Sequence, residues 1–269
     1  MDRSCFEKLV PHIYRLKVPF ENIYTAVFLI KTDVGCALLD CAASAHDTES
    51  VIVPALDACG IDRKDIKYIL ISHPHGDHAG GLRALLPLFP SAVVCAGSEY
   101  LKNRLEIPNF RVLSDGQMLL SCIEAVSLPG HCADMYGFYD KRSKALITGD
   151  ALQLCGVGRY GCGLSSYSDY MATLDRVQNM DIESLVASHD YYPLGAIAHG
   201  KEQTAQYISE CRRYAHFISE HIDKQMSVSN CDKKLVCDII REENNRRDPN
   251  IPPLQYSTVE KYIMSRIQE

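Results

Sequence analysis

Residues 72–81, SHPHGDHAGG, follow directly on the apolar run IKYILI, and no other stretch restricts the architecture as tightly. A short run of β-branched and aliphatic residues reads as a buried strand. Its end therefore delivers His73, His75, Asp77 and His78 to one place. In extended chain, residues two apart point to the same side, so His73 and His75 can aim both imidazoles at one ion. Gly76 lets the chain turn and swings Asp77 and His78 toward a neighbouring position. Two histidines plus an Asp-His pair exceed what one tetrahedral ion with an open position takes. Two ions share them more naturally.

Two complete shells need further donors near the same edge. His131 lies in SLPGHC after a strand-like run, Asp150 ends KALITGD, and His189 ends SLVASH. All three close predicted strands, where a rigid scaffold presents chemistry on loops. Taken singly, Asp150 reads as a cap of the next segment and His189 as a backbone hydrogen-bonder. Seven donors in this arrangement favour a metal centre.

The rest of the chain supports a layered α/β fold. IYTAVFLI and CALLD, separated by KTDVG, predict a hairpin. DTESVIVPALDACG predicts a helix capped by Asp47 or Thr48 and stopped by Gly60, with Pro54 in its first turn or at a kink. A second helix is expected over AGGLRALLPLF. AVVCA, RVL, MLLSCIEAVSL, YGFYD and KALITG predict short strands, followed by helix SDYMATLDRVQNM and strand SLVASH. Runs of strands with interspersed helices indicate two sheets covered by helices.

Residues 1–200 are expected to form the catalytic domain and 201–269 a helical extension. In the extension Tyr207, Ile208, Cys211, Tyr214, Ile218 and Ile222 share one face at helical spacing. CDKKLVCDIIREENN repeats the habit with Leu235, Val236, Ile239 and Ile240, and STVEKYIMSRI opens with a capping-box pattern, Ser257 and Glu260. These apolar faces are expected to close the mouth of the site or to pair two chains as a homodimer, with simple core packing as the plainer alternative. The loop CGVGRYGCGLSSYS carries Gly156, Gly158, Gly161 and Gly163 and is either flexible or tightly turned. It reads as a substrate-lining segment in which Arg159 meets an anionic group, or as an ordinary surface crossing.

Composition removes several classes. Lys plus Arg number 28 against 34 Asp plus Glu, a formal charge of -6, which suits no polyanion such as DNA or RNA. The first twenty residues lack the apolar core of a signal peptide, and no run is long enough to span a bilayer, so a cytoplasmic location is expected. Twelve cysteines without a Cys-x-x-Cys spacing read as buried thiols in a reducing cell.

HPHGDH resembles the His-x-His-x-Asp-His signature of the metallo-β-lactamase-fold hydrolases, and PGH, TGD and the late histidine resemble that family's other metal motifs, in order, over roughly residues 12–200. The resemblance implies the αββα sandwich. It also implies that His73, His75 and His131 hold one ion, that Asp77, His78 and His189 hold a second, and that Asp150 bridges both. Asp77 and Asp150 are then the catalytic carboxylates, and the cofactors are two divalent ions, zinc foremost, with iron or manganese as substitutes. A metal pair about 3.5–4 Å apart can hold hydroxide, because coordination lowers the pKa of water from about 15.7 to about 7. The nucleophile is then hydroxide and not a side chain, in keeping with the lack of a Gly-x-Ser-x-Gly elbow.

Differences inside the motifs narrow the branch. Asp150 stands where β-lactamases of this fold usually carry Cys or Ser, and His75 where the flavin-partnered diiron proteins carry Glu. ITGDALQ and SHDYYPLG resemble the glyoxalase II thioesterases, which implies a substrate contact for Tyr191 beside the candidates Arg159 and Tyr160. GHCADMYGFY lacks that group's usual Thr and Gly, and Arg212 and Arg213 form no clear glutathione site. The reading is a thioester or lactone hydrolase acting on a small molecule, with no nucleic-acid or membrane partner. The alternatives are a phosphodiesterase or nuclease of the same fold, a mononuclear iron persulfide dioxygenase, and a non-enzymatic metal-holding regulator.

Overall fold

The computed structural model describes residues 5–226 and 232–268. Cys231, the first residue of the predicted second tail helix, lies outside them. Two compact units emerge, residues 1–127 with 134–149, and residues 128–133 with 150–269. Residues 150–200 therefore share a unit with the helices expected to stand apart as an extension.

The first unit opens with β1 (Glu7–Val10), β2 (Ile13–Phe20), β3 (Ile23–Thr32) and β4 (Gly35–Leu39). Helices α1 (Ala45–Asp47) and α2 (Val53–Ala58) lead to β5 (Ile66–Leu70), and α3 (Gly76–Ala79) and α4 (Leu82–Leu85) to β6 (Val93–Ala96). Helix α5 (Tyr100–Leu105) leads to β7 (Phe110–Val112), and the seven strands lie in one sheet in sequence order. The tight turns between β1 and β4 permit only antiparallel pairing, whereas each helical crossover from β4 onward returns a parallel strand. The predicted hairpin is β3 with β4; β1 and β2, which sequence reading leaves out, extend it. The core packs this sheet against its helices through residues such as Leu29, Leu38, Ile52, Leu56, Ile69 and Leu82.

The predicted helix over residues 47–60 is interrupted. Its cap is Ser44, three residues before Asp47, with Ser44 Oγ accepting from the Asp47 amide. Residues Thr48–Ile52 wind as a π turn just ahead of Pro54, whose ring has no N–H for the carbonyl one turn back. Pro87 likewise ends the second helix in a 3-10 turn, Leu86–Leu88. Strands β8 (Met118–Leu119), β9 (Ile123–Ser127), β10 (Tyr136–Asp140) and β11 (Ala145–Gly149) then form an antiparallel meander.

The second unit contains the hairpin β12 (Gly156–Val157) and β13 (Tyr160–Gly161), α6 (Tyr167–Gln178), and the pair β14 (Ser184–Ala187) and β15 (Ile197–His199). It ends in α7 (Gly200–Met226), α8 (Lys233–Arg247) and α9 (Tyr256–Gln268). The glycine-rich loop is thus tightly turned. The predicted apolar face of α7 is buried throughout. On α8 the predicted Val236 and Ile240 are buried, whereas Leu235 is 54% exposed and Ile239 only half-buried, and Cys237 and Asn244 complete the buried face. Asn244 can face inward because Tyr214 Oη accepts from its amide at 2.8 Å. The capping box at Ser257 does not form, since Ser257 lies inside α9 and Glu260 takes Lys233 at 3.0 Å. The cysteines among the described residues are free thiols. No described helix is long and apolar enough to cross a membrane.

Candidate metal centre

Four of the seven predicted donors come together in the first unit. Ser72 and His73 follow the end of β5, and His75, in extended conformation, starts the single helical turn α3 that carries Asp77 and His78. His73 Nε2 lies 3.0 Å from His75 Nδ1, and His78 Nε2 lies 3.4 Å from Asp77 Oδ2. The donor atoms of His73 and His78 are within 4.8 Å of each other. His73 and His78 are buried, Asp77 is half-buried and His75 is exposed, so the group opens to one side.

Asp40 and Ser72, which sequence reading does not single out, organise this set. Asp40 follows β4 with a left-handed φ of 61° and is wholly buried. Its Oδ1 accepts from the Ser72 amide and its Oδ2 from Ser72 Oγ, both at 2.8 Å, and Oδ2 also lies 2.8 Å from His78 Nδ1. With its hydroxyl proton committed to Asp40, Ser72 Oγ accepts from His73 Nδ1 at 3.0 Å. Both imidazoles then carry their proton on Nδ1 and present Nε2 as a lone pair, the state a metal requires. The sequence signal was a carboxylate ending the apolar run CALLD, where a charge is costly unless it is paired. Thr25 Oγ1 steadies Asp77 at 3.3 Å.

The other three donors come together in the second unit. Asp150 points one carboxylate oxygen at each of two imidazoles: Oδ1 is 3.4 Å from His189 Nε2 and Oδ2 is 4.0 Å from His131 Nε2. All three side chains are at most 10% exposed. His131 Nδ1 donates to the Gly163 carbonyl at 2.8 Å, with Gln153 Nε2 at 2.9 Å, so Nε2 again faces the carboxylate. The loop before it is pinned to α6: Gly130 has φ 134°, and a Cβ there would meet Tyr170 Cα at 2.6 Å. Thr173 Oγ1 donates to the Pro129 carbonyl at 2.6 Å.

These separations fit shared coordination. Two donors about 2.1 Å from one tetrahedral ion lie about 3.4 Å apart, the separation found for Asp77 with His78 and for Asp150 with His189. Nitrogen and carboxylate oxygen donors without thiolate suit zinc, iron or manganese alike.

The substrate candidates differ in setting. Tyr191 is only 2% exposed, and its ring meets His189 edge-on at 5.6 Å. Arg159 is exposed at the β12–β13 turn, donates to Tyr160 Oη at 3.1 Å and lies over that ring at 5.2 Å. Arg212 is held by Asp175 at 2.7 Å and Arg213 Nε by Glu210 at 2.9 Å, so both are engaged within the protein.

A family model described as the metallo-beta-lactamase superfamily matches residues 22–189. A hydroxyacylglutathione hydrolase of Francisella philomiragia is 33% identical over 132 residues, 47% of this chain and 50% of that protein. The lactamase-like protein aptB of Emericella nidulans is 33% identical over 182 residues, 65% of this chain and 51% of that protein. The chain thus spans about half the length of the curated relatives it matches. In fold it is similar to AidC, a dizinc quorum-quenching lactonase, with a TM-score of 0.56, 16% identity, and coverage of 74% of this chain and 94% of that one.

Proposed function

The chain belongs to the metallo-β-lactamase superfamily, and from that premise we propose that it is a dinuclear metal-dependent hydrolase of a small thioester or lactone. His73, His75 and His131 would hold one ion and Asp77, His78 and His189 the other, with Asp150 shared. The observation that carries the two-ion reading is Asp150, whose two oxygens each face a different imidazole. A carboxylate shared by two ions offers one oxygen to each, which is this disposition. The bound ions, zinc foremost, would supply a Lewis acid for the substrate carbonyl and hydroxide near neutral pH, since coordination lowers the pKa of water to about 7.

The remaining work belongs to the chain. Asp40 and Ser72 hold protons on Nδ1 of His78 and His73, so neither ring can present the wrong nitrogen. Asp77, half-buried and steadied by Thr25, is placed to take up a proton. Tyr191 orients His189 by packing against its ring, and Arg159 with Tyr160 offers a cation and a hydroxyl for an anionic acyl or leaving group.

The thioester assignment is supported by relatedness to a protein named for hydrolysis of a hydroxyacylglutathione, itself a thioester. The lactone arm is supported by a fold shared with a lactonase. Metal analysis of protein purified without added metal, combined with a panel of thioesters, lactones and phosphodiesters, tests the reading. Two ions per chain and turnover of thioesters or lactones are expected. A stoichiometry that stays near one with excess metal would favour the persulfide dioxygenase, and turnover confined to phosphodiesters would overturn the substrate class.

A further inference from the structure

Segment 248–255, which joins α8 to α9, lies along the β12–β13 hairpin. The Pro253 carbonyl accepts from the Gly161 amide at 3.1 Å, and Gln255 Nε2 donates to the Arg159 carbonyl at 2.8 Å. The contact is backbone on backbone: a Cβ on Gly161 would fall 2.6 Å from Leu254 Cα. Leu254 is wholly buried, and its carbonyl accepts from Arg241 Nε at 2.8 Å and from Cys237 Sγ at 3.4 Å, which ties the segment to α8.

The hairpin in turn reaches the candidate ligands. Two residues beyond Gly161, the Gly163 carbonyl accepts from His131 Nδ1, and the Gly163 amide donates at 2.5 Å to Gln153 Oε1, whose Nε2 is also beside His131. At the hairpin's other end the Gly156 carbonyl accepts from the Tyr192 amide at 2.9 Å, and the Cys155 amide donates to the Tyr192 carbonyl at 3.0 Å. Tyr192 follows His189 by three residues, and its hydroxyl donates to Asp248, where the segment begins.

We propose that residues 248–255 are a strap that positions His131, and through Tyr192 the chain leaving His189, so that metal affinity depends on a segment far along the chain from every donor. This rests on the reading of His131 as a metal ligand. Gly161, Tyr192 and Gln255 are positioning residues, since none of them is among the candidate metal ligands. Orientation of a ligating imidazole by what bonds its other nitrogen commonly governs affinity by about 10–100-fold.

The test is competition of zinc-loaded full-length protein against a chromophoric chelator, which resolves the two ions by affinity, with thermal melts alongside. Gln255→Ala removes one hydrogen bond, Tyr192→Phe removes the link to Asp248, and Gly161→Ala forces strap and hairpin apart. Each is expected to weaken one ion by about tenfold or less while sparing the other, with Gly161→Ala the most severe. Val259→Ala, a buried position in α9, is the control for lost stability alone. Wild-type affinity for both ions in Gln255→Ala and Gly161→Ala, or equal weakening by Val259→Ala at a matched fall in Tm, would overturn the strap. His131→Ala separates the two ideas. If it loses one ion while the strap variants bind normally, only the strap fails; if it retains both ions, the ligand reading fails and the strap with it.

Discussion

At the scale of single residues, Asp40 concentrates more consequence than any predicted ligand. One buried carboxylate receives the Ser72 amide, the Ser72 hydroxyl and His78 Nδ1. Asp40→Ala leaves all three without their acceptor in a site with no room for bulk water, so metal affinity is expected to fall about 10–100-fold. Chelator competition measures it, and unchanged affinity would remove Asp40 from the centre. Asp150→Ala is expected to lower the occupancy of one ion and hydrolysis together, read by elemental analysis beside a thioester assay; full activity with one loaded site would contradict a shared carboxylate. The thiols give a pH prediction. Burial pushes Cys95 and Cys155 up to about 11 and Cys211 up to about 12, from an ordinary value of 9.0. Folding therefore keeps protons that the unfolded chain gives up above pH 9, so this stabilisation is complete below about pH 9 and is lost as pH rises toward 11–12. Alkylation of the folded protein at pH 8, mapped by mass spectrometry, should mark exposed Cys5 and Cys59 well before Cys95, Cys155 or Cys211.

At the scale of elements, the short turn α3 depends on the two glycines that follow it. A Cβ at Gly80 would lie 2.0 Å from the Ala43 carbonyl oxygen, and one at Gly81 would lie 2.1 Å from that of Cys41. The obstacles are backbone, which cannot rotate aside. This close approach lets the Cys41 amide donate to the His78 carbonyl at 2.8 Å and the Gly81 amide to that of Ala42 at 3.2 Å, holding Asp77 and His78 against the end of β4. Gly80→Ala and Gly81→Ala are each expected to cost about 3 kcal/mol, the upper end of overpacking. Denaturant unfolding checks this, and a loss under about 1 kcal/mol would mean that the turn can shift. The pair stands in plain view in HAGG, yet its purpose is not legible there, because the atoms it makes room for lie about forty positions earlier.

At the scale of the whole molecule, the tail is structural as well as terminal. Tyr207, Cys211, Tyr214, Ile218 and Ile222 of α7 are buried within the second unit, and α7 packs on α6, whose N-terminal turn pins the loop bearing His131. Truncation after Gly200 is therefore expected to abolish cooperative unfolding of that unit, followed by circular dichroism. A truncated chain that melts cooperatively and retains two ions would show that the tail serves substrate choice alone. Leu235, Tyr256 and Met264 remain exposed on α8 and α9, the side chains a homodimer would draw on. Light scattering on the full chain and on Leu235→Lys reports whether they do.

What is local was readable from the chain itself. The strands β3 to β6 and β9 to β11, the burial of one face of α7, and donor-type residues in the segments that follow β5, β9, β11 and β14 all follow from periodicity and side-chain chemistry within a few positions. Helix starts were less legible: Ser44, Asp47 and Thr48 are all good caps, and the choice rests on where the backbone of residues 41–44 is held by α3. Leu235 against Asn244 is a similar case, since a buried amide is acceptable only because Tyr214 waits thirty residues away. The Asp40–Ser72 relay and the contact of residues 248–255 with the hairpin were beyond reach for the same reason. Hydrogen-bond partners of buried polar groups are set by which segments the fold brings within 3 Å of one another, and sequence spacing carries no record of that distance.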